Sequence, residues 1–326
     1  MPIGRNRVLG DPRVSAANRP HHVGLAGWPA SIEDTRTRTF DALTAHAAGA
    51  GYEGLEVGIS SMAARYFPGD SMPVAARKMR RDLEAAGLRF VGSTLHTPDE
   101  DVRRLHWLDP LVEQMKLIQD AGGEFASVQF SLHPDYINTG GAYRDDEDYL
   151  RWCADRVACM RDAAWDLGLN FYLETHMDRI TEDPAACCRI LEMATCEVNG
   201  DLSHYLFRGI THGPHIEKIT ALVGHTHIRM ARRFGDLSAG VDDPGADWAQ
   251  KGVTWQMFDL MKRALDGGLS SRAIIGETGP MHLVVDTLTL DAALVPLYRA
   301  MARYADASAQ GIAMKVDSPE DLRPWV

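Results

Sequence analysis

The sequence of 326 residues has no long apolar run, few cysteines and an excess of acidic over basic side chains. No apolar stretch approaches the roughly 18 residues of a membrane-spanning helix, and the N-terminus lacks the apolar core of a secretory signal. The five cysteines show no CxxC spacing, which argues against a zinc or redox pair and predicts reduced core residues. The net charge of −11 would repel a phosphate backbone. We therefore expect a cytoplasmic protein that binds neither membranes nor nucleic acid.

Linkers, low-complexity segments and internal repeats are also missing, so the length is compatible with one large domain. We predict that residues 1–21, which include a short basic segment, form an N-terminal extension. Residues 22–326 are predicted to form a single domain.

Eight short apolar or β-rich runs recur along this domain, separated by helical patterns. The runs are residues 22–28, 52–59, 89–96, 125–133, 170–176, 196–204, 223–231 and 273–279. Asp109-Pro110 and Asp183-Pro184 each predict a helix cap followed by proline at the first helical position. Strand and helix alternating eight times predict an α/β protein, a single-domain (β/α)8 or TIM barrel.

Side chains that bind metals stand at the ends of the last four runs. They are Glu174 and His176 on the fifth run, Asp201 and His204 on the sixth, His225 and His227 on the seventh, and Glu277 on the eighth. In a (β/α)8 barrel the carboxyl ends of all strands meet at one mouth, where catalytic residues lie. A mixed carboxylate and imidazole set predicts one divalent ion, with Mn²⁺ the first choice and Mg²⁺, Co²⁺ or Zn²⁺ as alternatives.

Histidines at or near the ends of the runs are also interpreted from their position at the barrel mouth. His96 and His133 end the third and fourth runs, and with His176 they are candidates for substrate binding. His225, two residues before His227, is better interpreted as a packing residue or a support for the site, and Glu56 of the second run is given less weight than these histidines.

The ligand pattern Glu174, Asp201-x-x-His204, His225-x-His227 and Glu277 within IIGETGP resembles the xylose isomerase-like barrel superfamily. GYEGLEVG at residues 51–58 matches its second strand. The superfamily includes ketose 3-epimerases, inosose dehydratases, sugar isomerases and an endonuclease. Its epimerases often follow the first glutamate with proline and place an arginine four residues on. Here Thr175 follows, and Arg179 stands five residues on, so different substrate contacts are expected.

The resemblance implies roles for individual residues. Glu174, Asp201, His227 and Glu277 would bind the metal, and Glu174 and Glu277 would also transfer protons. His204 and an arginine after the seventh strand would contact substrate oxygens, the candidates being Arg229, Arg232 and Arg233.

The function expected from this resemblance is a sugar isomerase or epimerase acting by proton transfer through an enediolate on a small ketose or aldose. An inosose-dehydratase-like or keto-sugar lyase is the alternative, and a non-catalytic sugar-binding barrel is a third possibility. The endonuclease function is disfavoured, because its additional Asp-x-His motif does not follow His227. The expected partner is a small carbohydrate, and relatives of this type suggest a homodimer or homotetramer.

Overall fold

Eight parallel strands close into a barrel in the order of the sequence, and β1 pairs with both β2 and β8. The computed structural model describes residues 21–26, 35–228, 255–266, 269, 271, 273–276, 287–312 and 321. The strands are β1 (His22–Ala26), β2 (Gly54–Glu56), β3 (Arg89–Thr97), β4 (Phe125–Phe130), β5 (Asn170–Glu174), β6 (Glu197–Asn199), β7 (Val223–Ile228) and β8 (Ala273–Gly276). The predicted (β/α)8 barrel is confirmed.

Helices lie between the strands in sequence. Those described are α1 (Phe40–Ala50), α2 (Ile59–Tyr66), α3 (Met72–Ala85), α4 (Asp99–Val102), α5 (Asp109–Asp120), α6 (Glu147–Asp166), α7 (Pro184–Ala194), α8 (Ser203–Phe207), α9 (Pro214–Ala221), α10 (Trp255–Asp266) and α11 (Thr287–Ala309). Short 3-10 helices span Thr35–Thr37, Pro134–Tyr136 and Ala142–Asp145. None of the described helices is long and apolar enough to cross a membrane.

Several strands end earlier than the apolar runs predict. β5 ends at Glu174. The strand does not continue, because the amide of His176 donates to the Thr181 hydroxyl at 3.1 Å instead of to a neighbouring strand. The sixth run likewise splits into β6 and the short helix α8, which carries His204. The residues beyond these ends are therefore placed by turns rather than by strand alternation.

One of the two predicted helix caps is confirmed. The carboxylate of Asp183 accepts hydrogen bonds from the amides of Ala185 at 2.9 Å and Ala186 at 3.0 Å at the start of α7. The prediction for Asp109 is wrong. Leu108 already has helical dihedral angles and occupies the cap, so Asp109 is the first residue of α5 and caps nothing.

Two apolar clusters fill the molecule. The larger lies between strands and helices, and the smaller consists of strand residues: Ala26, Val91, Phe125, Tyr172, Ala273 and Ile275. Members of the smaller cluster alternate with outward-facing neighbours, as Ile275 does with Ile274, so they point into the barrel. They form an apolar floor beneath the mouth.

The cysteines are all free, as expected, and four of them are buried. The prediction that all five are core residues is wrong for Cys159, which is exposed on α6 because it falls outside the apolar stripe of that helix.

The predicted boundary between the N-terminal extension and the barrel falls after residue 21. Residues 1–20 lie outside the described residues, so the N-terminal extension stays a prediction. His21 is buried, and its Nδ1 lies 2.6 Å from the Asp306 carboxylate of α11, which ties the start of β1 to the last described helix.

Gly92 of β3 allows the Phe125 ring to occupy the barrel floor. A Cβ at this position would lie 2.5 Å from the ring. We expect Gly92→Ala to lower the free energy of unfolding by about 1–3 kcal/mol, as overpacking does, measured by urea denaturation. Gly49→Ala is the control, because a Cβ there meets nothing within 4 Å and the exposed helix position favours alanine. Equal effects of the two substitutions would contradict this account of the floor.

Candidate metal centre and active site

Three buried side chains from consecutive strand ends converge above the apolar floor. Glu174 ends β5, Asp201 follows β6, and His227 belongs to β7. One donor atom from each lies within 4.8 Å of the other two. The structure thus brings together three of the four predicted ligands.

Glu174 is held by neutral donors from the adjoining strands. Its Oε1 accepts a hydrogen bond from Gln129 Nε2 at 2.7 Å, and its Oε2 accepts one from Thr94 Oγ1 at 3.1 Å. Asn199 Nδ2 lies 3.4 Å from the same Oε2. These contacts fix the rotamer of a carboxylate that is only 2% exposed.

Asp201 is oriented by the first turn of α8. Its Oδ1 accepts hydrogen bonds from the Ser203 hydroxyl and, at 3.3 Å, from the Ser203 amide. Its Oδ2 lies 3.1 Å from His204 Nε2. His204 is therefore beside a predicted metal ligand, and its contact with substrate stays a prediction.

Glu56 at the end of β2 sets the tautomer of His227. Glu56 Oε1 lies 3.0 Å from His227 Nε2, and Oε2 lies 3.0 Å from His225 Nε2. Burial raises the pKa of Glu56, but the His227 and His225 imidazoles outweigh this effect and lower it below its ordinary value. Glu56 is therefore ionised and accepts a hydrogen bond from His227 Nε2–H, which leaves the lone pair of Nδ1, 3.8 Å from Glu174 Oε1, to bind a metal.

His225 supports Glu56 from below. Its Nδ1 lies 3.0 Å from Ser271 Oγ, and its ring packs against Phe125 and Tyr172 with centroids 4.1 Å and 5.4 Å away. Burial lowers the pKa of His225 despite the neighbouring Glu56. These contacts agree with the interpretation of His225 as a packing residue or a support for the site, which stays a prediction.

A second cluster with metal-like spacing contains Glu56, His225 and His227. His225 Nε2 and His227 Nε2 each lie 3.0 Å from an oxygen of Glu56. The three side chains can therefore hydrogen-bond to one another without an ion. The set with Glu174 and Asp201 fits a divalent cation better. This set offers two carboxylates, whose mutual repulsion an ion would relieve, and the lone pair of an imidazole. The Glu56 carboxylate is hydrogen-bonded to the other nitrogen of that imidazole, as in many metal sites.

The predicted substrate-binding histidines occupy different parts of the mouth. The ring of His176 contacts that of His204 at a centroid distance of 3.8 Å, and its Nδ1–H donates to the Met177 carbonyl at 2.5 Å. Burial and the adjacent His204 lower the pKa of His176 to about 3. His96 Nε2 lies 3.1 Å from Ser131 Oγ, whereas His133 Nδ1 accepts the Asp135 amide at 3.3 Å and caps a 3-10 helix. Their contacts with substrate stay predictions.

Glu277, the fourth predicted ligand, lies outside the described residues, as do Arg229, Arg232 and Arg233. β8 ends at Gly276, the residue before Glu277 in the sequence. The metal-binding and catalytic role of Glu277 and the substrate contacts of the three arginines stay predictions.

Sequence reasoning underrated Glu56 and missed the polar side chains around Glu174, namely Thr94, Gln129 and Asn199. Thr94 Oγ1 also lies 3.0 Å from Glu56 Oε1, so its single proton lies between the two carboxylates and is shared by them. The sequence signal that could have identified these residues is a polar side chain at an inward-facing position near the end of a buried strand. Thr94 and His96 of β3 share a face, and His96 pairs with Gln129 of β4.

No family model matches this sequence, and no curated protein matches it significantly. Three solved structures are similar over most of their length. L-ribulose 3-epimerase has a TM-score of 0.60 and 12% identity, covering 91% of this chain and 100% of its own. A probable 3-DHS dehydratase of petrobactin synthesis from Bacillus anthracis has a TM-score of 0.60 and 12% identity, covering 84% and 98%. A xylose isomerase-like TIM barrel protein from Mycobacterium smegmatis, in complex with magnesium, has a TM-score of 0.55 and 13% identity, covering 91% and 99%.

The chain shares the (β/α)8 barrel fold of these structures. The low identities establish the architecture, while the chemistry is argued from the side chains of this chain.

The role of Glu56 predicts an effect on the metal affinity of this barrel. We expect Glu56→Gln to raise the Kd for Mn²⁺ by roughly 10- to 100-fold, the usual effect of losing a hydrogen-bond partner behind a ligand. Isothermal titration calorimetry of the metal-free protein measures this change. Glu53→Gln, at an exposed position three residues earlier, is the matched control and should leave the Kd unchanged. An unchanged Kd for Glu56→Gln would refute the role assigned to Glu56.

Proposed function

We propose that this protein is a divalent-metal-dependent enzyme that isomerises or epimerises a small ketose or aldose by proton transfer. The observation that carries the proposal is the convergence of buried Glu174, Asp201 and His227, each held by its own hydrogen-bond partner. Similarity to an L-ribulose 3-epimerase supports the reaction class.

Glu174, Asp201, His227 and Glu277 would hold the ion, with Mn²⁺ or Mg²⁺ suited to these oxygen and nitrogen donors. A bound divalent ion supplies Lewis acidity, which stabilises the negative charge that develops on a carbonyl oxygen when the adjacent carbon loses its proton. The neighbouring His204 is placed to hydrogen-bond a substrate hydroxyl.

Glu174 is the proposed proton acceptor. Thr94, Gln129 and Asn199 fix its carboxylate through neutral polar groups. Glu277 is the proposed partner that returns a proton to the opposite face of the reacting carbon. An enediolate forms between the two transfers, so the configuration or the carbonyl position of the sugar changes.

The proposal predicts a metal-dependent reaction that exchanges protons with solvent. Protein loaded with Mn²⁺ should bind about one ion per chain, and chelation should abolish turnover of the substrate found in a ketose and aldose panel. In D₂O, mass spectrometry at low conversion should find deuterium on the reacting carbon. Product without deuterium would contradict proton transfer through two carboxylates.

Glu174→Gln isolates the contribution of the proton acceptor. We expect kcat, measured at saturating Mn²⁺, to fall roughly 10²- to 10⁴-fold, the range for general acid–base groups. Glu124→Gln is the control, since Glu124 is exposed before the start of β4. A kcat within twofold of the parent for Glu174→Gln would eliminate this role.

A lyase that expels a β-hydroxyl is the second candidate. His176 favours it, because its Nδ1–H is held by the Met177 carbonyl and its Nε2 therefore keeps a lone pair. In an elimination, His176 Nε2 would take the proton from the carbon beside the carbonyl, and the imidazolium so formed would pass that proton to the β-hydroxyl, which leaves as water while the C=C bond forms. The structural similarity to a probable dehydratase supports this candidate as well. A product lighter by one water distinguishes the lyase from the isomerase.

A further inference from the structure

Arg179 lies at the rim of the mouth, on the loop that follows β5. An isolated bridge pairs Arg179 with Ser131, just beyond the end of β4, and the Ile180 amide donates to the Phe130 carbonyl at 3.0 Å. The loop therefore turns back toward β4 and β3. This places the guanidinium within electrostatic range of Glu174, His176 and His96.

The guanidinium of Arg179 uses few of its five N–H donors. Nη1 donates to the Asp178 carbonyl at 3.0 Å, and Nε is buried without a hydrogen-bond partner in the described part of the chain. Burial lowers its pKa, an effect that Asp178 and Glu174 partly offset. Nearby Arg208 differs, because it donates to the Glu182 carbonyl at 3.0 Å and lies 4.0 Å from the Glu182 carboxylate. Arg179 has no such ion pair within the described ranges, and a half-buried guanidinium of this kind is well suited to an anionic ligand.

The surroundings of Arg179 are polar. His96 and Ser131 are adjacent and hydrogen-bonded to each other at 3.1 Å. Burial lowers the pKa of His96, and Arg179 lowers it further. Among the described residues, the rim near β3 and β4 thus presents His96, Ser131 and the positive charge of Arg179, and the Asp101 carboxylate partly offsets the effect of Arg179 on the pKa of His96. The proposed metal ligands lie toward β5, β6 and β7.

We propose that Arg179 binds a carboxylate of the substrate, with His96 and Ser131 beside it, so that the substrate is a sugar acid or another polyhydroxylated acid. This inference rests on the proposed function and names its substrate class. The reacting carbonyl would lie at the metal centre, and the carboxylate would extend toward β3 and β4.

A carboxylate matches Arg179 better than a phosphate does. Its two oxygens fit the planar guanidinium fork, and one positive charge balances one negative charge. Phosphate is commonly bound by several backbone amides, but those of His176, Asp178, Ile180 and Glu182 are already engaged within the loop or with β4. Neutral hydroxyls would accept hydrogen bonds from the guanidinium but would lack the charge that strengthens such bonds.

The test compares acids with their neutral counterparts on the Mn²⁺-loaded protein. Aldonates and uronates are titrated by calorimetry alongside the matching alditols and aldoses, with glucose 6-phosphate as the phosphate probe. We expect at least one acid to bind roughly 10- to 100-fold more tightly than its neutral counterpart, the range for charged hydrogen bonds. Arg179→Gln should remove this preference, and Arg179→Lys should keep part of it because the charge remains.

Arg208→Gln is the matched control, since it also removes one positive charge near this loop and should preserve the preference for the acid. A panel in which no acid binds more tightly than its counterpart would overturn the proposal. An Arg179→Gln variant that keeps the preference, or tighter Arg179-dependent binding of the phosphate, would overturn it as well. Mn²⁺ affinity of Arg179→Gln should equal that of the parent. Failure of the parent to bind Mn²⁺ would instead refute the proposed function.

Discussion

The centre of this barrel depends on one carboxylate shared by two histidines of the same strand. Glu56 belongs to β2, whereas His225 and His227 belong to β7, so their hydrogen bonds cross the barrel interior. The two imidazoles keep Glu56 ionised, and the ionised carboxylate fixes which nitrogen of each ring carries the proton. Thr94 extends the same constraint to Glu174. The geometry of the proposed ligands therefore follows from groups that would not touch the metal.

The interior is organised in layers. Phe125 and Tyr172 form part of the apolar floor and contact His225, which supports Glu56 above it. The carboxylates of Glu174 and Asp201 lie in the next layer. Because the lower layers are closely packed, side chains of the upper layer have few alternative positions, and this preorganisation is what a catalytic site requires.

The alternation of eight apolar runs with helical patterns was sufficient to predict the barrel, and position at strand ends was sufficient to bring Glu174, Asp201 and His227 together. Other features depend on contacts that a sequence does not display. Glu56 has the same residue type as many surface carboxylates, and only the cross-barrel geometry reveals its two imidazole partners. His176 was expected from strand alternation, but β5 ends before it, and a turn determines its contacts. Arg179 acquires its position from the return of a loop toward β4, which no periodic pattern encodes.

The loop between β5 and α7 is secured from outside the mouth. The Tyr143 hydroxyl donates to the Ile180 carbonyl at 3.2 Å and accepts the Asp183 amide at 3.0 Å, while the Tyr205 hydroxyl donates to the Thr181 carbonyl at 2.7 Å. These anchors engage the backbone, so they do not depend on which side chains the loop presents to the mouth. During evolution, substitutions on this loop could therefore change ligand preference while its course and the layer beneath it stayed the same. The proposed metal site would then be kept while the ligands accepted at the mouth change.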